Sequence, residues 1–265
     1  MKANLGIAGV LAAAMFVASS DARAAGHANG FGEKGELILS ADRLVPIFNY
    51  SYASVTVEGP NNLELTTSRS GSGISFLFGR NMASPEDPAL PINVHTLPRV
   101  AFDIAIIRSL TIGAGIAFGV GLGGTDERED PQGNAKRPVS GDAPTMTAIG
   151  LTPRVGYVLP LGNLFAFWPR AGFGFYSISG RSEAVDGNGI VISTTKRTDT
   201  LFSLDLDPQF ALVPFEHFFI HAGPIVNIPI SGSRSVRVAN TPTEADTAVF
   251  NFGLSAGLGG WFNVF

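Results

Sequence analysis

Residues 110–124 read LTIGAGIAFGVGLGG, the most apolar run downstream of the N-terminus. Its side chains alternate. Leu110, Ile112, Ala114, Ile116, Phe118 and Val120 fall on one face, and Thr111, Gly113, Gly115, Ala117 and Gly119 on the other. Period two belongs to a strand, and a helix interior loses about 1 kcal/mol for each of these glycines. Gly119, Gly121 and Gly124 satisfy the G-x-G-x-x-G spacing, but the polar TDEREDPQG follows instead of an apolar helix. The dinucleotide-binding context is therefore missing.

The same alternation recurs. Val100, Phe102, Ile104 and Ile106 oppose Arg99, Asp103 and Ala105. Phe165, Phe167, Phe173 and Phe175 oppose Trp168, Arg170, Gly172 and Gly174. Phe202, Leu204, Leu206 and Phe210 oppose Ser203, Asp205, Asp207 and Gln209. Ile220 and Ile228 oppose His221 and Asn227, and Phe250 to Leu258 oppose Asn251, Gly253, Ser255 and Gly257. One face is large and apolar, the other small, polar or charged.

The connections decide between a soluble sandwich and a membrane barrel. Short turns at 107–109, 160–163 and 214–216 alternate with long polar segments at 121–144, 179–198 and 231–246. An outer-membrane barrel has this asymmetry, with tight periplasmic turns and long extracellular loops. A sandwich must bury its Phe faces against a second sheet and has no reason to alternate its loops. The fold expected is an all-β, antiparallel transmembrane β-barrel with ten strands, or eight if the N-terminal part is irregular. Its strands are 36–43, 47–57, 71–79 (reaching back toward Leu63), 98–107, 110–121, 145–159, 164–178, 199–213, 217–230 and 247–260, with a turn at 58–62.

The N-terminus has the marks of a signal peptide at residues 1–24: Lys2, an apolar stretch from Leu5 to Val17, and a small-x-small pattern at Ala22 and Ala24. Residues 25–35 are expected to be a periplasmic segment and 36–265 the barrel. Among 265 residues there is no cysteine, so disulfides and Cys-based metal sites are excluded. The net charge of −4 comes without a basic block, which gives no support for nucleic-acid binding.

Several stretches resemble the uncharacterised outer-membrane β-barrel proteins of myxobacteria and related bacteria. They are FGEKGELILSADRL (31–44), TPRVGY (152–157), FWPRAGFGFYSIS (167–179), PFEHFFIHAGP (214–224) and FGLSAGLGGWF (252–262). The resemblance implies export to the outer membrane of a Gram-negative bacterium and contact with membrane lipids and lipopolysaccharide. It also implies insertion through the C-terminal strand by the barrel-insertion machinery, as a monomer. Outer-membrane barrels commonly end on an aromatic residue. Phe265 has that position, although Phe262 is the one in phase with the lipid-facing set.

Alternation sends Arg99, Asp103, Arg154, Arg170, Asp205 and Asp207 into the lumen, with Asp42. On the lipid face each charge would cost about 2–4 kcal/mol near the midplane. The interior expected is polar and salt-bridged, and the role structural or surface-exposed. A narrow passive channel for ions or small solutes is the alternative, and an outer-membrane hydrolase a disfavoured third. No catalytic residue, cofactor or metal site is expected. His27 lies in the N-terminal segment, and His217 and His221 lie near a short turn, at the wrong end for a rim active site. His95 follows Glu86 and Asp87 in an expected outer loop, where it reads as solvated. The shared prolines of LPRVAF, TPRVGY, WPRAGF, DPQFAL and GPIVN suggest bulges at one barrel level.

Overall fold

A computed structural model describes residues 30–58, 64–74, 94–122, 124–128, 139–185, 191–238 and 241–264. The leader at 1–24, residues 25–29 with His27, most of the turn at 58–62, residues 75–79, Glu86, Asp87 and Phe265 lie outside them.

The strands are β1 (Glu36–Glu58), β2 (Glu64–Ile74), β3 (Arg99–Ile107), β4 (Leu110–Gly121), β5 (Gly124–Arg128), β6 (Val139–Ala143), β7 (Thr145–Tyr157), β8 (Leu159–Pro160), β9 (Phe165–Val185), β10 (Val191–Phe215), β11 (Phe218–Val238) and β12 (Thr241–Asn263). All but β5 and β6, which pair with each other, form one antiparallel sheet of ten strands. Eight of the ten close a ring in the order β1-β3-β4-β7-β9-β10-β11-β12 and back to β1. The fold is an antiparallel transmembrane-type β-barrel.

The two strands off the ring have separate origins. β8 is a two-residue return that pairs with the start of β9. β2 shares an edge of β1 with β3, because β12 occupies the other edge from Glu36 to Thr56. β3 pairs with Leu37–Asp42, and β2 takes over from Phe48 to Glu58. A 3₁₀ turn at Val94–Thr96 lies in the chain between them, and all three of its residues are buried.

Two expected strands, 36–43 and 47–57, are one continuous strand of 23 residues. The break in alternation that reads as a turn is a pair of register shifts against β12, between Ala41 and Val45 and between Pro46 and Phe48. Arg43 takes a φ of 59° inside this irregularity. β2 consequently runs in the same direction as β3 and not opposite to it.

The expected long loops at 179–198 and 231–246 are largely ladder. β9 and β10 stay paired to Val185 and Val191, and β11 and β12 to Val238 and Thr241. At 25 residues, β10 is more than twice the roughly 9–11 residues needed to span a membrane. Stretches such as VISTTKRT and SGSRSVRV are rich in β-branched and small polar side chains, which suit a ribbon wet on both faces. Of the five shared prolines, Pro153, Pro169, Pro208 and Pro224 do not shift the register. Pro208 sits directly opposite Pro169 in an unbroken β9–β10 pairing, and the β10–β11 pairing resumes in phase beyond Pro208 and Pro224.

The barrel is inside-out relative to a soluble protein. Outward side chains such as Phe102 (51% exposed), Phe118 (51%) and Ile112 (46%) form an apolar belt. The lumen holds three layers. At the short-turn end, Phe31, Trp168, Phe219 and Trp261 form an aromatic plug, with Phe31 centred 5.0–5.4 Å from the other three rings. Charged side chains fill the middle. Toward the hairpins, Ala53, Val94, Leu97, Ile178, Leu201 and Val249 form a second apolar cluster around the 3₁₀ turn.

Residues 30–35 hold the plug in place. Gly35 N donates to Ala105 O (2.8 Å), Ser109 N to Gly32 O (2.8 Å), and Val264 N to Gly35 O (2.9 Å). Gly32 N donates to the Glu36 carboxylate at 2.7 Å. Gly32 has a φ of +93°, and a Cβ there would lie 2.9 Å from the Val158 Cβ, so both conformation and space call for glycine.

Candidate functional site

The seven lumen charges expected from alternation, Asp42 among them, meet in one cluster. Arg99 and Asp103 share the inner face of β3, Arg154 comes from β7, Arg170 from β9, and Asp205 and Asp207 from β10. β1 adds Asp42 and Arg43. All eight are at most 5% exposed.

Asp42 is the centre. Arg99 donates to its Oδ2 from Nε (3.0 Å) and Nη2 (2.8 Å). Arg154 Nη1 donates to the same oxygen, and Arg170 Nη1 reaches Oδ1 at 3.2 Å. His221 Nε2 lies 3.1 Å from Oδ1, while its Nδ1 is 3.1 Å from Gln209 Oε1. Arg154 turns its other edge to Asp103, with Nε to Oδ1 at 3.0 Å. Arg99 also bonds Asp207, and Arg43 reaches Asp207 at 3.4 Å and Asp205 at 3.7 Å. Tyr176 donates to Asp205 at 2.7 Å, and Ser203 to the same carboxylate at 2.6 Å. Arg170 stacks on the Trp168 ring at 4.6 Å, which joins the cluster to the aromatic plug.

Four arginines thus meet four aspartates, and the cluster is electrically balanced without a mobile counter-ion. A buried guanidinium loses hydration worth several kcal/mol and regains it only through good geometry to more than one acceptor. The bidentate contact that Arg154 makes to the two oxygens of Asp103 is the strong form.

The glycines of 110–124 make room for these charges. A Cβ on Gly115 would lie 2.6 Å from Arg99 Cδ, and one on Gly113 would lie 2.4 Å from Asp103 Oδ1. The small face of β4 is small because the long side chains of β3 lie across it. The space left among Arg99, Thr152, Arg154, Arg170, Asp205 and Asp207 is a cavity of about 10 Å³, enough for one water at most.

Sequence alternation misses several members. Arg43 would face outward by parity and is turned inward by the irregularity in β1. Tyr176 shares the inner face of β9 with Trp168 and Arg170, and its size among glycines was the available signal. His221 is a partner of Asp42 and not only a residue near a turn. His95 is not solvated: it is 2% exposed, within the 3₁₀ turn packed in the lumen. Burial there, with Arg43 nearby, pushes its imidazole pKa down to about 3. A second buried group lies toward the hairpins, where Arg197 and Arg234 both donate to Asp199. Among the described residues, no group of three or more His, Asp or Glu is placed to hold a metal ion.

No family model matches the sequence, and no curated protein matches it. Solved structures with a similar chain path include the outer membrane protein OprG from Pseudomonas aeruginosa. It is 10% identical over 90% of this chain and 99% of that one, with a TM-score of 0.44. Ail, the attachment invasion locus protein of Yersinia pestis, is 12% identical over 86% and 99%, with a TM-score of 0.33. The outer membrane protease OmpT from Escherichia coli is 10% identical over 86% and 96%, with a TM-score of 0.35. These likenesses are too remote to carry a role across.

Proposed function

We propose that the chain is a monomeric outer-membrane protein of a Gram-negative bacterium, with short turns in the periplasm and long hairpins outside. In this reading the barrel is a closed anchor and the role belongs to the exposed hairpins. The apolar belt supports the membrane setting, since exposed Phe, Ile and Val all round a ring have no place in water. Alternation on β12 runs to Phe262, 47% exposed beside the last ladder positions, which supports use of this strand in insertion.

The observation that carries the closed reading is the balanced cluster of four arginines and four aspartates around a void of about 10 Å³. It lies between two apolar layers of the lumen.

The test is single-channel conductance of the refolded protein in a planar bilayer, beside Arg154→Ala and Asp205→Ala. Wild type is expected to be silent, with openings appearing in a variant whose removed side chain unblocks the lumen. Stable wild-type openings with ion selectivity altered in either variant would make the protein a narrow passive channel and overturn the closed reading.

A further inference from the structure

We infer that the outer surface of β9, β10 and β11 carries a binding row for the anionic sugars of an outer-leaflet glycolipid, formed by Arg181, Lys196 and Arg237. This rests on the membrane orientation proposed above. Lys196 is directly opposite Arg181 on one neighbouring strand and Arg237 on the other. Opposed residues share a face of the sheet, with Cβ atoms about 4.5–5.5 Å apart. The face is the outer one, because Arg197, the next residue after Lys196, is buried in the lumen. Three cations in one row repel each other, and like charges directly opposite destabilise a sheet.

The described surroundings do not neutralise the row. Arg181, 55% exposed, is bridged to Glu183 two residues along its own strand. Lys196 and Arg237 are both exposed, and neither has an ion-pair partner among the described residues. Among the described residues, the other acids on this outer face are Glu244 and Asp246 of β12, opposite Ser235 and Ser233 of β11. Both belong to rows nearer the membrane. Two unopposed cations therefore face outward side by side and call for an anion from outside the chain.

Height selects the anion. Below the row come Ser179, Thr198 and Ser235, then Ser177, Thr200 and Ser233, then the stacked rings of Phe175 and Phe202. Six residues separate Phe202 from Lys196, roughly 20 Å along the strand and about 15 Å along the barrel axis at the usual tilt. Phospholipid headgroups occupy only about 5–8 Å beyond the hydrocarbon on each side. A charge held further out fits phosphates or carboxylates carried on a saccharide core, as in lipopolysaccharide.

The experiment uses the full mature chain refolded into vesicles, as wild type, as the Lys196→Ala/Arg237→Ala double variant, and as Arg108→Ala, a cation control at the other end of the barrel. Binding of lipopolysaccharide truncated after its phosphorylated inner core is measured for each, beside a dephosphorylated form and phosphatidylglycerol. Each surface cation contributes on the order of a fivefold gain near an anionic layer, so the double variant is expected to bind the phosphorylated form about 30-fold more weakly. Arg108→Ala should bind as wild type does. Charge reversal in Lys196→Glu should weaken binding further than Lys196→Ala. Equal affinity of wild type and double variant overturns the row, as does an equal loss for phosphatidylglycerol, which would mean any anionic lipid. Failure of the wild type to insert into vesicles overturns the membrane reading itself, and is seen separately as digestion of the whole chain by added protease.

Discussion

Replacing Asp42 by Asn keeps the shape of the cluster and removes the charge on which three arginines converge. At a charge separation of about 4 Å and an effective dielectric near 20, each Arg–Asp pair is worth about 4 kcal/mol before desolvation. Asp42 bonds Arg99, Arg154 and Arg170, and the variant leaves four buried arginines facing three aspartates. Removing one partner of a buried pair typically costs about 3–5 kcal/mol, and three partners place Asp42→Asn at the upper end. The double variant Asp42→Asn/Arg170→Gln restores the balance and should recover at least half of the loss. Urea unfolding in phospholipid vesicles reads both. The chain has two tryptophans, Trp168 and Trp261, and both are buried in the aromatic plug, so their fluorescence reports the collapse of the lumen directly. A loss under about 1 kcal/mol for Asp42→Asn, or a double variant no better than the single one, would refute the reasoning. Either result would mean that water screens the cluster and the charges act independently.

Three further outcomes are expected. Phe31→Ala removes the ring that touches Trp168, Phe219 and Trp261, and should cost about 3–5 kcal/mol while raising acrylamide quenching of both tryptophans. Gly115→Val puts a branched side chain where a Cβ alone would already lie 2.6 Å from Arg99 Cδ and 2.8 Å from Thr152 Oγ1; a loss of about 1–3 kcal/mol in the same urea titration is expected. His95 gives a pH test. With its folded pKa depressed to about 3, the unfolded chain binds the extra proton between pH 6.5 and 3, so stability falls as pH drops through that window. The slope from this residue is about 1.4 kcal/mol per pH unit, and His95→Gln should flatten the unfolding profile between pH 6.5 and 5.

The outer and inner faces were legible because lipid enforces a strict period of two. Phe102 against Asp103, and Phe118 against Gly115, could not be exchanged without placing charge in hydrocarbon or a ring in a filled lumen. Legibility failed where that constraint lapses. Between Ala41 and Phe48 the two register shifts break the alternation, and Asp-Arg followed by a nearby proline looks like a turn from sequence alone. Above the membrane neither face needs to be apolar, so VISTTKRT and SGSRSVRV carry no alternation in hydropathy and read as loop although they are paired ladder. His95 belongs to a segment that enters the lumen from between strands, and only its three-dimensional neighbours reveal its burial.

Glycine content and lumen charge in this barrel are two sides of one packing problem. An eight-membered ring is narrow, and its interior must be filled by side chains. Filling it with aliphatics alone would put large residues on both faces of every strand and erase the difference that fixes register. Long arginines paired to short aspartates fill the middle instead, but an extended guanidinium needs a neighbouring strand with nothing in its way. Gly115, where a Cβ would lie 2.6 Å from Arg99 Cδ, and Gly156, where one would lie 3.0 Å from Arg170 Cγ, supply that space. The arrangement also sets which defects are tolerated. A lipid-facing Ile116→Val only trims a surface already in contact with fluid chains, whereas a single methyl added at Gly115 has to move an arginine that is itself holding two aspartates.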